Sequence, residues 1–245
     1  MIETRQRKQA IAARFGARAA VYDQHAGLQQ DIAARLAGLL PSAPAGARVL
    51  EVGCGTGFLT RHLLERYRDA SFLISDIAPE MVRECERRFP GAARFCVMDG
   101  EAPDRDGPFD LIASSMTVQW FADPAGGVRR LAGLLAPGGT LIYSALGADT
   151  FPEWRAALAA EALRDGTTPM PPLPGVVAEE HRRIEYESGR DFLAIMKAIG
   201  AAEPRPGYRS LPPGALRRAL RRLECGPGVR VTWHIVYGRI DALPG

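Results

Sequence analysis

The residues best suited to chemistry stand together at positions 51–57, which read E-V-G-C-G-T-G. Glycine lets the backbone adopt positive φ and lets a ligand come close to the main chain. The carboxylate of Glu51, two residues before the first glycine, favours a positively charged amino group. The amides of a helix that follows the glycines favour an anionic group. This stretch therefore suits a small ligand that carries both charges; the alternative is a tight turn that binds nothing.

The spacing of the glycines narrows the choice of ligand. The dinucleotide-binding pattern is G-x-G-x-x-G, but here Gly57 comes one residue early after Gly53 and Gly55. A nicotinamide dehydrogenase is the least favoured alternative, because no proton-relay Tyr-x-x-x-Lys follows either. The run E-V-G-C-G-T-G-F-L resembles motif I of the class I methyltransferases, which use S-adenosylmethionine (SAM). The resemblance implies that Glu51 and the three glycines bind this cofactor.

Two more acidic residues end predicted strands. Asp76 lies about twenty residues past the glycines, where an acid binds ribose hydroxyls in a nucleotide fold. The alternative for Asp76 is a helix N-cap, because Pro79 follows closely. Asp99 lies between Met98 and Gly100, and its carboxylate can accept from an adenine amino group while the methionine packs on the ring. Its alternative is a plain turn residue.

Two further residues are assigned to the cofactor. Residues 109–115 read F-D-L-I-A-S-S and resemble motif IV of the same methyltransferases. In that motif the end of the strand faces the methionine part of the cofactor, which implies that Ser114 contacts it. Asp110 starts this strand and is predicted to be structural. Met81, on the inner face of the helix after the second strand, is also predicted to contact the cofactor.

Strands and helices alternate around these residues. Short apolar runs predict buried strands, and segments with helical spacing separate them. This alternation predicts a Rossmann-like, mostly parallel α/β sheet of the class I methyltransferase type, with N-terminal helices before it. The first five predicted strands are residues 48–52, 71–75, 94–98, 109–113 and 140–145.

A single domain, residues 1–245, is predicted to have four parts. They are an N-terminal helical cap (1–46), a SAM-binding core (47–149), a lid-like insertion (150–187) and the C-terminal part of the sheet (188–245). The insertion is inferred because the alternation stops after the fifth strand. It contains a predicted helix and a proline-rich run at 169–174. The predicted later elements are helices at 152–163, 188–199 and 213–223 and strands at 203–210 and 229–240.

The composition is ordinary for a soluble globular protein, with 47% hydrophobic and 24% charged residues. A net charge of +3 is too small an excess to indicate a nucleic-acid partner. No apolar run approaches the roughly 18 residues of a membrane helix, and no secretory signal precedes the cysteines. The spacing of cysteines and histidines indicates neither disulfides nor a metal site, so we expect free thiols, a cytoplasmic location and no metal. These residues are Cys54, Cys85, Cys96 and Cys225, and His25, His62, His181 and His234.

Four segments together resemble malonyl-[acyl-carrier protein] O-methyltransferase, the BioC family of biotin synthesis. The resemblance implies SAM-dependent methylation of the free carboxylate of a malonyl thioester on an acyl carrier protein. A carboxylic acid has a pKa of about 4, so the nucleophile is already ionised at neutral pH and no general base is expected. The segments are residues 8–29 (K-Q-A-I-A-A-R-F-G-A-R-A-A-V-Y-D-Q-H-A-G-L-Q), 114–120 (S-S-M-T-V-Q-W), 191–201 (D-F-L-A-I-M-K-A-I-G-A) and 231–238 (V-T-W-H-I-V-Y-G).

Two other functions stay open. Methyltransferases of the same fold act on small molecules, such as a quinone precursor or a small carboxylate like aconitate, and motif I cannot separate them. A phenolic acceptor usually needs a general base, which favours a carboxylate because none is identified in this sequence. The alternative from another class is a SAM-binding scaffold without transferase activity. The sequence leaves the oligomeric state open.

Residues for the acceptor are chosen for position rather than for proton transfer. Tyr22 lies at the joint of the N-terminal helices and is predicted to close the site through a hydrogen bond; the alternative is a tyrosine that only packs the joint. Gln119 and Trp120 are predicted to line the acceptor pocket, with plain core as the alternative for Trp120. Arg182 and Arg183 are predicted to bind the malonyl carboxylate.

A basic stripe is predicted on the helix at 213–223. Arg217 and Arg221, and likewise Arg218 and Arg222, are four residues apart and share a face. Carrier proteins are acidic, so this stripe is a candidate docking patch. The alternative is an ordinary solvated helix face.

Overall fold

The computed structural model describes residues 2–17, 19, 22–24, 26–105, 107–168, 170–198, 208–224 and 228–245. Within these residues, strands form one seven-stranded sheet in the order β3-β2-β1-β4-β5-β7-β6. The strands are β1 (Arg48–Val52), β2 (Ser71–Asp76), β3 (Arg94–Val97), β4 (Phe109–Ser115), β5 (Leu135–Leu146), β6 (Val176–Tyr186) and β7 (Val229–Asp241). The helices are α1 (Ile2–Gly16), α2 (Gly27–Ala37), α3 (Phe58–Arg66), α4 (Pro79–Arg88), α5 (Pro124–Ala132), α6 (Pro152–Ala160), α7 (Gly189–Ala198) and α8 (Pro213–Leu223).

Strands β1 to β5 confirm the predicted parallel sheet. β1 pairs in parallel with β2 on one side and with β4 on the other, and β4 pairs in parallel with β5. The apolar runs of β1, β2, β4 and β5 are largely buried, whereas no residue of β3 is buried. Leu50 and Ile112, which pair across β1 and β4, are fully buried. Because these strands are parallel, the residues that end them meet at one edge of the sheet, where Asp76 and the glycines after β1 lie.

The N-terminal helices also agree with the sequence. α1 ends at Gly16, a short 3-10 turn covers Tyr22–Gln24, and α2 begins at Gly27. These breaks lie at the predicted joint. No helix in the described part of the chain is both long and apolar enough to cross a membrane.

The chain divides into two compact units. The first contains Met1–Ala145, Pro172–Ala178 and Val236–Gly245, and the second contains Leu146–Pro171 and Glu179–Ile235. The first unit holds β1 to β4 and nearly all of β5, together with α1 to α5. The four-part organisation of a single domain stays a prediction.

One strand was missed by the sequence analysis. Residues 176–186, which were assigned to the lid-like insertion, form β6, and the helix predicted at 152–163 ends at Ala160. β6 is an edge strand in which only Tyr186 is buried, so exposed and half-buried residues alternate along it. Its sequence V-V-A-E-E-H-R-R-I-E-Y carries charges where a central strand has apolar residues, which hid the pattern. Most of the strand predicted at 203–210 lies outside the described residues.

Candidate functional site

The glycine turn between β1 and α3 has the backbone that the sequence predicts. The φ angles of Gly53, Gly55 and Gly57 are +75°, +53° and +99°, a region that other residues rarely adopt. The carbonyl oxygen of Ser75 accepts hydrogen bonds from the backbone N–H groups of Gly53 and Cys54, at 2.8 and 2.9 Å. The end of β2 therefore holds the turn through main-chain contacts.

The three glycines differ in the space around them. A Cβ atom added at Gly53 would lie 2.1 Å from Oγ1 of Thr117, and one at Gly57 would lie 2.5 Å from Cε2 of Phe89. A Cβ atom at Gly55 would meet no atom within 4 Å. Gly53 and Gly57 thus allow the protein to pack closely, whereas Gly55 leaves space open beside the turn.

A cavity opens beside this turn in the first unit. Its empty volume, including solvent at its mouth, is about 910 Å³. Its lining combines aromatic and aliphatic side chains with a few polar groups. The lining residues are Lys8, Ile11, Phe15, Tyr22, Gln29, Glu51, Val52, Gly53, Cys54, Gly55, Thr56, Phe58, Leu59, Asp76, Ile77, Met81, Met98, Asp99, Gly100, Ser115, Met116, Thr117, Trp120 and Phe121.

Glu51 lies near the end of β1, lines the cavity and is only 1% exposed. Its Oε2 accepts a hydrogen bond of 2.6 Å from the hydroxyl of Thr60. Burial raises the pKa of Glu51 well above its usual value, and the nearby Cys85 and Asp76 raise it further, while the Thr60 hydroxyl opposes them. A bound cation would relieve this cost, because an opposite charge favours the ionised carboxylate.

Asp76 ends β2 and connects the glycine turn to the start of α4. Its Oδ2 accepts from the backbone N–H of Gly55 at 2.9 Å, and its Oδ1 accepts from that of Ala78 at 2.9 Å. Ala78 occupies the N-cap position of α4, so the N-cap alternative for Asp76 is wrong. Burial raises the pKa of Asp76, although the hydrogen bonds from Ala78 and Gly55 oppose this rise.

Asp99 also lines the cavity, next to Met98 and Gly100. Its Oδ2 accepts from the ammonium of Lys8 at 2.6 Å, and its Oδ1 accepts from the backbone N–H of Glu101 at 3.0 Å. Lys8 belongs to α1 and lines the same cavity, but sequence reasoning did not identify it. No spacing rule joins position 8 to position 99, so only the folded chain brings this pair together.

Ser114 is not placed where it was predicted. It is fully buried, its Oγ donates to the carbonyl oxygen of Val52 at 2.9 Å, and it is absent from the cavity lining. The next residue of β4, Ser115, lines the cavity instead. Successive side chains of a strand point to opposite faces, so an error of one residue exchanges a cavity residue for a buried one.

Tyr22 lines the cavity, and its predicted hydrogen bond to SAM or the acceptor stays a prediction. Its ring lies 6.3 Å from that of Phe15 and 6.4 Å from that of Phe58, measured between centroids. Burial, followed by the charges of Asp76 and Asp23, raises the pKa of Tyr22, so its hydroxyl stays protonated and can donate. Within the described residues this hydroxyl has no hydrogen-bond partner.

Gln119 and Trp120 have different surroundings. The indole of Trp120 lines the cavity and meets the ring of Phe15 edge-on, with 5.5 Å between centroids. The side chain of Gln119 is buried, and its Nε2 donates to the carbonyl oxygen of Met116 at 2.7 Å. Gln119 does not line the cavity, because this bond holds its amide against the turn after β4. Its predicted place in the pocket is therefore not supported.

The predicted arginines all lie in the second unit. Arg182 and Arg183 lie on β6, where Nε of Arg182 is 3.2 Å from Oε1 of Glu180. Binding of the malonyl carboxylate by these two residues stays a prediction.

The basic stripe on α8 is partly neutralised. Nε of Arg218 and Nε of Arg222 lie 2.9 and 2.8 Å from the two carboxylate oxygens of Glu161. Hydrogen bonds from these arginines lower the pKa of Glu161. Arg217 and Arg221 are exposed, and no ion pair is found for them in the described part of the chain.

The second unit also brings together Asp149, His181 and His234, which are far apart in the sequence. The two imidazole rings are stacked, with centroids 4.3 Å apart and 13° between their planes. The lone pair of each imidazole nitrogen lies in the plane of its ring. Because the two ring planes are nearly parallel, the lone pairs of His181 and His234 do not point toward one common ion. Nδ1 of His234 already accepts from the backbone N–H of Asp149 at 3.2 Å. We therefore interpret this cluster as a stacked pair, and the absence of a metal site stays a prediction.

Comparisons with known proteins show which proteins this chain is similar to. A family model described as a methyltransferase domain matches residues 49–139. The biotin biosynthesis bifunctional protein BioCD of Bordetella avium is 42% identical over 240 residues, covering 94% of this chain and 51% of that protein. The malonyl-[acyl-carrier protein] O-methyltransferase of Magnetococcus marinus is 38% identical over 245 residues, covering 93% of this chain and 90% of that protein. The chain thus spans about half the length of the first relative.

A solved structure agrees with the fold. The YcgJ protein of Bacillus subtilis has a TM-score of 0.60 and 16% identity, and the match covers 86% of this chain and 100% of that one. At this level of identity the likeness shows the fold alone.

Proposed function

From the premise that this chain belongs to the malonyl-[acyl-carrier protein] O-methyltransferase family, we propose that it methylates the free carboxylate of a malonyl group on an acyl carrier protein. SAM is the methyl donor, and the product is the methyl ester that starts the pimeloyl chain of biotin. We place this reaction in the cytoplasm. The observation that carries the proposal is the 38% identity, over 90% of the relative, together with a cavity lined by the motif I residues.

The charges in the cavity fit SAM. The carboxylates of Glu51, Asp76 and Asp99 line it, and one ammonium, that of Lys8, accompanies them. This balance favours a ligand with positive groups over a pyrophosphate, and SAM carries an ammonium and a sulfonium. The open space beside Gly55 lets such a ligand approach the backbone. These residues would hold SAM, with Glu51 facing the ammonium and Asp76 the ribose hydroxyls.

The proposed reaction requires correct positioning of the acceptor carboxylate and SAM rather than a proton transfer. When bound, SAM supplies a methyl group that the acceptor's carboxylate oxygen takes, while the sulfur keeps the electron pair of the broken bond. The carboxylate enters ionised, so no residue has to remove a proton, and no histidine occurs among the lining residues that the structure describes. Orientation can contribute roughly 7–11 kcal/mol in favourable systems. Tyr22 and Trp120 line the cavity, and we propose that they exclude water and orient the acceptor.

Methyl transfer from labelled SAM tests the function directly. The acceptors are malonyl-acyl carrier protein, malonyl-coenzyme A, free malonate and a quinone precursor. We expect base-labile label on the malonyl carrier, because a methyl ester is hydrolysed by base. Base-stable label on the quinone precursor alone would contradict the proposal and support a small-molecule methyltransferase. Normal SAM binding with no labelled acceptor would support a non-catalytic scaffold.

Tyr22→Phe is expected to lower turnover about tenfold, a modest loss for one positioning hydrogen bond. The free energy of unfolding should change by less than about 0.5 kcal/mol, because the ring keeps its contacts with Phe15 and Phe58. Steady-state kinetics and urea denaturation measure the two effects.

Tyr67→Phe is the matched control for Tyr22→Phe. The hydroxyl of Tyr67 donates to the carbonyl oxygen of Pro41 at 2.6 Å, outside the cavity lining. Its loss should cost about 1 kcal/mol of stability without changing turnover. Equal turnover in wild type and Tyr22→Phe would leave Tyr22 as a packing residue only.

Carrier docking is proposed for the half of the stripe that Glu161 does not neutralise. We expect the double variant Arg217→Ala/Arg221→Ala to raise KM for malonyl-acyl carrier protein about tenfold, because surface charges steer association with an acidic partner. KM for malonyl-coenzyme A should stay the same. The control is Arg83→Ala/Arg87→Ala, which removes the same charge from α4. Equal changes for both acceptors, or for both double variants, would contradict docking at α8.

A further inference from the structure

Lysine is rare in this chain, and one lysine lies in the cofactor cavity. Of the 31 lysines and arginines, only Lys8 and Lys197 are lysines. Arginine otherwise carries the positive charge, including in the ion pairs of α4 and α8. Lys8 is therefore an exception to the use of arginine in this chain, and its ammonium lies where α1 forms a wall of the cavity.

The contacts of Lys8 explain why an ammonium suits this position. Its Nζ lies 2.6 Å from Oδ2 of Asp99 and 2.7 Å from Oε2 of Glu101. A compact ammonium can bond two separate carboxylates, whereas the planar fork of arginine prefers two oxygens of one group. The side chain is 18% exposed. Burial lowers the pKa of Lys8, but the hydrogen bonds to Asp99 and Glu101 raise it above its usual value.

These bonds join α1 to two separate parts of the first unit. Asp99 lies in the loop after β3, and Glu101 is also bound to the start of α5. The carboxylate of Glu101 accepts from the backbone N–H groups of Ala122 and Asp123, at 3.1 and 2.8 Å. Three residues of α1, namely Lys8, Ile11 and Phe15, line the cavity. Lys8 is thus the charged contact that connects this wall to the loop beside the predicted adenine position.

We propose that Lys8 is a positioning residue for the cofactor, because it holds α1 as a wall of the cavity and orients the carboxylate of Asp99. This inference rests on the proposed use of SAM and is independent of the acceptor. Asp99 accepts through both of its oxygens in the structure. Its carboxylate is therefore held in place by contacts within the protein itself.

Lysine acetylation tests the proposal with a control inside the same molecule. The intact protein is treated with N-hydroxysuccinimide acetate, with and without S-adenosylhomocysteine, and both lysines are followed by mass spectrometry. We expect Lys8 to react about ten times more slowly than the exposed Lys197, because its reaction requires local opening. S-adenosylhomocysteine should slow Lys8 further without affecting Lys197. A Lys8 rate that the ligand leaves unchanged would overturn the proposal, since a merely structural ion pair predicts that result.

Binding measurements on variants give a second readout. Lys8→Met should weaken S-adenosylhomocysteine binding about tenfold, a typical loss when a supporting residue is removed. Lys8→Arg should recover part of this loss because it keeps the charge. We expect Lys8→Met to fold, since Glu101 keeps its two backbone donors and Arg130, whose Nη2 lies 3.5 Å away. Circular dichroism checks this point.

The matched control is Arg5→Met, which removes one positive charge from an exposed position on the same helix. Equal weakening by Arg5→Met and Lys8→Met would overturn the proposal, because net charge would then account for both. Wild-type protein that fails to bind S-adenosylhomocysteine would overturn the proposed function and this inference together. Normal wild-type binding with unaffected Lys8→Met would overturn this inference alone.

Discussion

Glu51→Gln is expected to weaken SAM binding about 10- to 100-fold, because a hydrogen bond to a charged group contributes roughly 1.5–3 kcal/mol. The substitution keeps the shape of the side chain, and the amide oxygen can still accept from Thr60. What it removes is the negative charge that we expect to face the ammonium of SAM. Isothermal titration calorimetry measures the affinity.

The same substitution is expected to stabilise the ligand-free protein at mildly alkaline pH. The pKa of Glu51 is higher in the folded protein than the usual glutamate value of 4.5, so over the pH range between the two values the folded state holds a proton that the unfolded state loses. The contribution of Glu51 to the free energy of unfolding is therefore fully present below the unfolded-state pKa. It is lost as the pH rises through the folded-state pKa. Glutamine carries no ionisable carboxyl, so we expect the variant to lack this loss and to be more stable than wild type at mildly alkaline pH.

Two measurements separate these effects. Urea denaturation across a pH series should show a smaller decrease with rising pH in Glu51→Gln than in wild type. Calorimetry in buffers of different ionisation enthalpy should show that SAM binding releases a proton from wild type, but not from the variant. The release is expected at pH values between the unfolded-state and the folded-state pKa of Glu51. Equal proton release in both proteins would remove Glu51 from the ammonium site. Thr60→Val is a useful companion, because it removes the donor and keeps the charge.

Gly55→Ala and Gly53→Ala are expected to fail in different ways. At Gly55 the added methyl group meets no protein atom within 4 Å. The substitution should therefore lower the free energy of unfolding by only about 1–2 kcal/mol, because alanine is strained in the left-handed backbone conformation. The methyl group projects beside the cavity, and we expect SAM affinity to fall at least about tenfold, because glycine there permits close approach of a ligand. The protein should still fold.

At Gly53 the added methyl group would overlap the side chain of Thr117, whose Cβ would lie only 2.7 Å away. The cost of the backbone and the overlap together should exceed about 3 kcal/mol of stability. Thermal denaturation and calorimetry distinguish the variants: Gly55→Ala folds and binds weakly, whereas Gly53→Ala loses stability first. Similar losses of stability in both would contradict the assignment of Gly55 to the ligand side.

Local patterns predicted the centre of this site well. The acid, the glycines and the apolar run of β1 are neighbours in sequence, so the turn could be recognised from the spacing alone. Asp76 and Asp99 were found because parallel strands bring the residues that end them to one edge of the sheet. Such inferences require only the order of the strands and the periodicity of their side chains.

Contacts between distant parts of the chain explain what was missed. Lys8 meets Asp99 across 91 residues, and Glu161 meets Arg218 across 57 residues; neither pair has a sequence signature. The sequence predicted Ser114 at the cavity, whereas Ser115 lines it. This is an error of one residue, and on a strand such an error moves the predicted side chain to the opposite face. β6 was overlooked because an edge strand need not be apolar.

The bond between the glycine turn and Ser75 has a consequence for how this protein can evolve. The Ser75 oxygen that accepts from Gly53 and Cys54 belongs to the main chain, so no change of side chain at position 75 removes it. Among point substitutions, only proline at position 53 or 54 would delete a donor. Genetic drift can therefore remodel side chains such as Met81 and Met98 while the turn keeps its geometry. Relatives that differ in their affinity for the ligand should share the backbone path of this turn even where few cavity residues are the same.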